Sequence, residues 1–209
     1  MHQNEKLAIL RRDRSEWDAR WARPGMEAFW LDRELPPEVE SMLDDGWLLP
    51  GETVLDVGCG DGRTAGALVR RGFKVTGIDS SHSAIRRGQR AFHDSEEAPV
   101  LRVFDICSSS GRLGRFDTIL DRGCLHCIPE AILPDYFAGA ARQLKPGGQL
   151  CVLYKTSSAA AEETADLVEL LSRASAGPFE CEYVISTEIT GQSSAVPAVC
   201  MRMRQTETH

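Results

Sequence analysis

One stretch of this chain constrains its fold more than any other: Val54-Leu55-Asp56-Val57-Gly58-Cys59-Gly60-Asp61-Gly62. The apolar run Thr53–Val57 reads as a short strand, and it ends in three glycines at alternate positions. A helix-forming run, Asp61–Arg71, follows and is closed by Gly72. Glycines let the backbone turn tightly and approach a ligand closely. The helix behind them offers free N–H groups to negative charge. A strand, a glycine turn and a helix in that order point to a parallel sheet with a nucleotide-type site at its edge.

The rest of the chain continues the alternation. Phe73–Ile78 reads as a second strand, followed by a helix that Ser80 or Ser81 caps and that runs to about Phe92. Val100–Phe104 is a third strand, and Thr118–Leu120 belongs to a fourth. Pro134 suits the first turn of a helix reaching Leu144. The turn Lys145-Pro146-Gly147-Gly148 then launches a fifth strand, Gln149–Tyr154, and Ala159–Ala174 is helical by apolar spacing. Cys181–Ile189 and Val196–Met203, separated by Gly191-Gln192-Ser193-Ser194, form a hairpin. The expected fold is α/β: a Rossmann-like, doubly wound sheet of five parallel strands plus a C-terminal antiparallel hairpin, seven-stranded, with helices on both faces. Residues 1–50 form an N-terminal helical cap on the domain of residues 51–209, in one compact unit. Within the cap, Arg14–Trp21 is a helix with Trp17 and Trp21 on one face, and Glu38–Trp47 is a helix against the sheet. Pro24, Gly25, Pro36 and Pro37 break the segment between them.

The glycine spacing argues against a dinucleotide. That site needs G-x-G-x-x-G, and counting from Gly58 the last position is Arg63. An acid, Asp56, stands two residues before the first glycine, where it suits a cationic amino-acid group better than a pyrophosphate. Asp79 follows the glycines at the spacing from which an acid reaches ribose hydroxyls. Asp105 ends the third strand, where it can accept a hydrogen bond from an adenine amino group.

This ordered set resembles the class I S-adenosylmethionine-dependent methyltransferases over roughly residues 50–155, with Leu144-Lys145-Pro146-Gly147-Gly148 in the place usual for that family. The resemblance implies S-adenosyl-L-methionine as cofactor, S-adenosyl-L-homocysteine as product and no metal. It places Asp56 and the glycines Gly58, Gly60 and Gly62 around the methionine part, Asp79 at the ribose and Asp105 at the adenine. Cys59, Ser80, Ile106, Asp121 and Trp21 are expected in the same site.

The segment Asp121-Arg122-Gly123-Cys124-Leu125-His126-Cys127 leaves the fourth strand where ligands of this architecture sit. It lacks the Asn/Asp-Pro-Pro-aromatic signature of enzymes that methylate base amines. Asp-Arg-Gly, with the early Trp17-Asp18-Ala19-Arg20-Trp21, Gly25, Phe29 and Trp30, is similar to the thiopurine methyltransferase-like branch. In that branch the N-terminal aromatics lie over the cofactor. The expected acceptor is a small molecule, first of all a thiol, with oxygen, nitrogen or a metalloid as the alternative. Arg122 and His126 are the expected catalytic residues. Arg122 cannot act as a base but can stabilise an anion, and His126 can take a proton. The plain alternatives are a structural ion pair for Arg122 and a half-buried packing role for His126. A non-catalytic cofactor-binding regulator and a dehydrogenase are the competing functions.

Composition narrows the partners. The net charge of −7 repels phosphate backbones, so no nucleic-acid partner is expected. No membrane span and no signal peptide are expected either, and the chain reads as cytoplasmic. Seven cysteines suit free thiols in a reducing compartment. Cys124 and Cys127 form a C-x-x-C without the second pair that a structural zinc would use.

Overall fold

The computed structural model describes residues 3–26, 34–107, 111–157, 161–191 and 194–206. In chain order the elements are α1 (Gln3–Trp21), α2 (Pro37–Asp44), β1 (Thr53–Val57), α3 (Arg63–Arg70), β2 (Lys74–Asp79), α4 (His82–Ala91), β3 (Val100–Val103), β4 (Phe116–Arg122), α5 (Leu133–Gln143), β5 (Leu144–Lys155), α6 (Ala161–Ser175), β6 (Phe179–Thr190) and β7 (Ala195–Gln205). Two short 3-10 turns, Leu125–Cys127 and Glu130–Ile132, join β4 to α5.

The strands form one seven-stranded sheet in the order β3-β2-β1-β4-β5-β7-β6. The first five are parallel, and β7 and β6 return antiparallel. This is the Rossmann-like, doubly wound sheet with a terminal hairpin that the sequence pattern implies. Side chains alternate across it, as the two-residue period of a strand requires. Leu55, Ile119, Leu150 and Val152 face α5 and α6, where Phe137, Tyr136 and Leu171 are fully buried. Val54, Leu120, Cys151 and Leu153 face the other way, onto α2 and α3 through Val39, Met42, Ala65 and Leu68.

Several element bounds differ from the sequence reading, each for a physical reason. Helix α3 begins at Arg63 rather than Asp61, because Gly62 is left-handed at φ 79° and stands as its N-cap. Strand β5 begins at Leu144, which pairs with Phe116, so the Lys145–Gly148 turn is an irregularity inside the strand. Helix α2 stops at Asp44, ahead of the left-handed Gly46, and Pro37 opens it rather than breaking it. Helix α1 begins eleven residues before the expected Arg14 (Gln3 against Arg14). Polar ties hold that extension, among them the Lys6–Asp135 ion pair. Phe29 and Trp30 lie outside the described residues.

Candidate functional site

From β1 the chain winds outward to β2 and β3, then crosses back to β4 on the other side of β1. The C-terminal ends of β1 and β4 therefore open a crevice at the switch point. A cavity of about 470 Å³ lies there, lined by the ends of β1, β2, β4 and β5, by the segment after β3 and by one face of α1.

The glycine turn forms one wall. Gly58, Gly60 and Gly62 are all left-handed, at φ 68°, 57° and 79°. The first two also lie too close to neighbours for a side chain. A Cβ on Gly60 would stand 2.6 Å from the Trp21 ring, and one on Gly58 2.5 Å from Cys124 Cβ. Trp21 thus lies directly on the turn, 6% exposed, with Arg87 5.8 Å from its ring. Cys59 and Ser80 also line the cavity. Gly62 does not: its open face is filled by Leu101, so this glycine serves helix entry and packing rather than the cavity.

Three acids meet the cavity at three successive strand ends. Asp56, 3% exposed on β1, keeps Oδ2 without a hydrogen-bond partner among the described residues. Burial, reinforced by the nearby Asp121 charge, pushes its carboxyl up to about 7. Asp79 accepts N–H bonds from Gly60 at 3.0 Å and Ser81 at 2.8 Å, so it ties the glycine turn to the end of β2. Burial still raises it above the ordinary carboxylate range. Asp105 accepts from Cys107 N–H at 2.9 Å and pairs with Arg14 of α1 at 2.8 Å, and Ile106 beside it lines the cavity.

Helix α1 closes the crevice from above. Leu10, Asp13, Trp17, Arg20 and Trp21 face inward. Asp18 caps α4 from a distance: its Oδ1 accepts from Ser83 N–H at 2.7 Å and Ser81 Oγ at 2.9 Å. Those bonds, the Ser83 N–H foremost, hold its pKa down.

The exit of β4 corrects two expectations. Asp121 does not line the cavity. It is fully buried, with Oδ1 accepting from Cys124 N–H at 2.7 Å and Leu125 N–H at 3.2 Å, and Oδ2 from Tyr136 OH at 2.7 Å. Burial raises it to about 6, and its work is to shape the turn. Arg122 does line the cavity, but its charge is already matched. Its Nε donates to Glu38 Oε1 at 2.7 Å with both side chains about 5% exposed or less, and its Nη2 donates to the Thr190 carbonyl. The expected free cation at this position is therefore a buried ion pair that joins α2, β4 and the end of β6.

His126 does line the cavity, edge-on to Tyr154 at 5.9 Å. Its Nδ1 is buried with no partner among the described residues. Burial, then the Lys155 charge, lowers its pKa, so the ring is neutral at neutral pH. All seven cysteines are free thiols, and burial pushes Cys127 up to about 11 and Cys124 well above its ordinary value. The C-x-x-C pair is thus protonated and poorly nucleophilic. Among the described residues no group of three or more His, Cys, Asp or Glu side chains is arranged to hold a metal. Among them, too, no helix is long and apolar enough to cross a membrane.

Sequence reasoning missed Glu38, Asp13, Asp18 and Lys155. Only Lys155 carried a usable signal, since it ends a parallel strand on the ligand side. The others are placed by tertiary contacts that no local spacing reveals.

Comparison with known proteins agrees with this geometry. Residues 54–148 match the family described as a methyltransferase domain. The chain is 32% identical over 126 residues to the 2-heptyl-1-hydroxyquinolin-4(1H)-one methyltransferase of Mycobacteroides abscessus, covering 59% of this chain and 54% of that protein. It is 30% identical over 132 residues to the ubiquinone biosynthesis O-methyltransferase of Pseudomonas paraeruginosa, covering 58% and 55%. The chain thus spans little more than half the length of these curated relatives. A solved structure from work on the conversion of a disulfide bond into a thioacetal group during echinomycin biosynthesis superimposes with a TM-score of 0.78 at 25% identity, covering 92% of each chain. The 1,6-didemethyltoxoflavin-N1-methyltransferase of Burkholderia thailandensis shares the fold, with a TM-score of 0.71, 22% identity and coverage of 99% and 92%. The matched family and these curated relatives are methyltransferases, and the solved structures share the fold.

Proposed function

We propose that this protein transfers a methyl group from S-adenosylmethionine to a small molecule, in first place to a sulfur atom. The observation that carries the cofactor is Asp56: a buried carboxylate oxygen without a partner, beside a glycine turn that no side chain can enter. An amino-acid ammonium is the group that such an oxygen accepts best, because ionising Asp56 in that place needs a compensating charge. Asp79 and Asp105, at the next two strand ends, fit ribose and adenine, and Ile106 and Trp21 offer apolar walls for the nucleoside. When bound, the cofactor supplies a methyl group on a sulfonium, which leaves without its bonding electrons.

The protein's own part is to position and deprotonate the acceptor. Holding a nucleophile in line with the leaving group supplies much of the rate in such a displacement. A neutral His126 at the cavity wall can take the acceptor's proton while the electron pair stays on the acceptor. Sulfur is favoured by the thioacetal-forming neighbour, at 25% identity over 92% of both chains. The thiopurine methyltransferase-like reading draws support from Trp17 and Trp21 above the cavity and from Arg122 and Gly123 at its floor. Oxygen is the second reading, favoured by the hydroxyquinolone and ubiquinone relatives.

The test is release of S-adenosylhomocysteine with a panel of small thiols and phenols. Turnover with at least one acceptor, thiols ahead of phenols, is the expected outcome. A folded protein that binds S-adenosylhomocysteine yet turns over none would turn the reading toward a non-catalytic regulator.

A further inference from the structure

Four basic side chains line the cavity: Arg20, Arg63, Arg122 and Lys155. Three are engaged. Arg63 pairs with Asp61 at 3.3 Å, and Arg122 with Glu38 at 2.7 Å. Arg20 lies 5.0 Å from the Trp17 ring centre, and that is not its only contact. Lys155 is exposed toward the open cavity and has no hydrogen bond or ion pair among the described residues. It stands at the last residue of β5, with its backbone fixed against Ala198 of β7. The walls around that end of the cavity are His126, Ile128, Ile189 and Val196. Five acids line the cavity: Asp56, Asp79 and Asp105 on the proposed cofactor wall, Asp61 paired with Arg63 and Arg87, and Asp13 on α1, where its charged neighbours are Glu16, Asp105 and Arg12.

A lysine that lines a ligand cavity without a carboxylate partner of its own is a recognition element for an anion. We propose that Lys155 is the charge partner of the methyl acceptor, and that the acceptor is a weak acid: a small, apolar-bodied ring compound whose nucleophile is an ionisable hydroxyl or thiol. The inference rests on the methyltransferase reading and adds the acceptor's chemistry to it. It also moves the cation expected at Arg122 to a residue whose charge is not already matched.

His126 and Lys155 then act on the same atom of the acceptor. The proton of the acceptor's O–H or S–H passes to the neutral imidazole, its bonding pair remains on oxygen or sulfur, and the resulting anion rests beside the Lys155 ammonium. Lys155 also makes His126 the weaker base, since its charge lowers the proton affinity of the ring. The same charge acts on Cys127. Lys155 and His126 line the same cavity.

The experiment measures binding, not turnover. The probes are 4-nitrophenolate and 4-nitrothiophenolate, at a pH where each is ionised, and the neutral ether 4-nitroanisole. Each is titrated by calorimetry into protein saturated with S-adenosylhomocysteine. The expected result is that the wild type holds the better anion at least tenfold tighter than the ether. Lys155→Met should remove roughly that tenfold preference, and Lys155→Arg should keep most of it. Affinity for the ether, affinity for S-adenosylhomocysteine and the melting temperature should stay as in the wild type. Wild type that binds neither anion better than the ether overturns the proposal, as does an anion preference that survives in Lys155→Met. Either outcome with S-adenosylhomocysteine still bound leaves the cofactor reading standing, whereas a wild type that fails to bind S-adenosylhomocysteine removes that reading first. The two anions differ only in the nucleophilic atom, and their ranking separates an oxygen from a sulfur acceptor.

Discussion

Glu38 reaches Arg122 from α2, and the two side chains are buried together under the end of β6. The pair makes Arg122 a joint in the cavity floor. Removing one member of a buried pair leaves the other charge unmatched, at a cost of about 3–5 kcal/mol. Arg122→Met should therefore shift urea unfolding by about that amount, and adding Glu38→Gln should return part of it. An Arg122→Met protein of unchanged stability that has lost activity would contradict this, and would restore the idea of a cation aimed at the acceptor. Asp79 shows the same mixture of roles. Its position after the glycines is the one proposed for a ribose acid, yet both its oxygens already hold backbone N–H groups, so Asp79 also builds the turn beside it. The glycines and acids that line one wall of the cavity were legible as a pattern because they recur at fixed distances from strand ends. The partners Glu38, Asp18 and Arg14 were not, because each meets its acid or its helix across a long stretch of chain.

At the scale of elements, α1 separates the readable from the unreadable. Its C-terminal half showed itself through Trp17 and Trp21, which do share a face and pack with Ala84 and Met26. Its N-terminal half has no apolar stripe to announce a helix, and polar contacts along the length of α1 hold the helix to the rest of the molecule. Lys6 meets Asp135, Arg14 meets Asp105, and Asp18 caps α4 through Ser81 and Ser83. Solvent competes strongly for such partly exposed pairs, so α1 is tied down far less firmly than the strands beneath it. A nucleoside under Trp21 would add apolar contact where α1 now has few such contacts. Amide hydrogen exchange across residues 5–26 should slow at least several-fold when S-adenosylhomocysteine is present, while β1 and β4 change little. Equal protection with and without it would make α1 a fixed wall. The turn Lys145–Gly148 teaches a related lesson: the glycines were visible, but the pairing of Leu144 with Phe116 that draws the turn into β5 is a property of the sheet.

Across the whole molecule, the order of strands sets the chemistry. A chain that runs β1, β2, β3 one way and β4, β5 the other leaves one crevice at the carboxyl ends, and every acid singled out in the cofactor motif stands on a strand that enters it or within two residues of one. That layout was legible in the sequence because five apolar runs alternate with helices and a hairpin closes the chain. The end proposed for the acceptor was not, since it is assembled from α1, the β4 exit, Lys155 and the hairpin, four pieces that share no local pattern. The central claim is that the crevice holds S-adenosylmethionine by its ammonium at Asp56. Without ligand this carboxyl stands near pH 7, held up by burial, whereas its ordinary value is 3.8. A cationic group favours the ionised form, so affinity should be full above pH 7 and fall as the pH drops through that value and protonates Asp56. The decisive measurement is calorimetric titration of S-adenosylhomocysteine into wild type and Asp56→Asn at pH values on both sides of 7. The account predicts one site in the wild type, weakening with acid, and in Asp56→Asn a loss of about ten- to a hundredfold with most of the pH dependence gone. No binding to the folded wild type, or binding equally tight in Asp56→Asn at every pH, would contradict it.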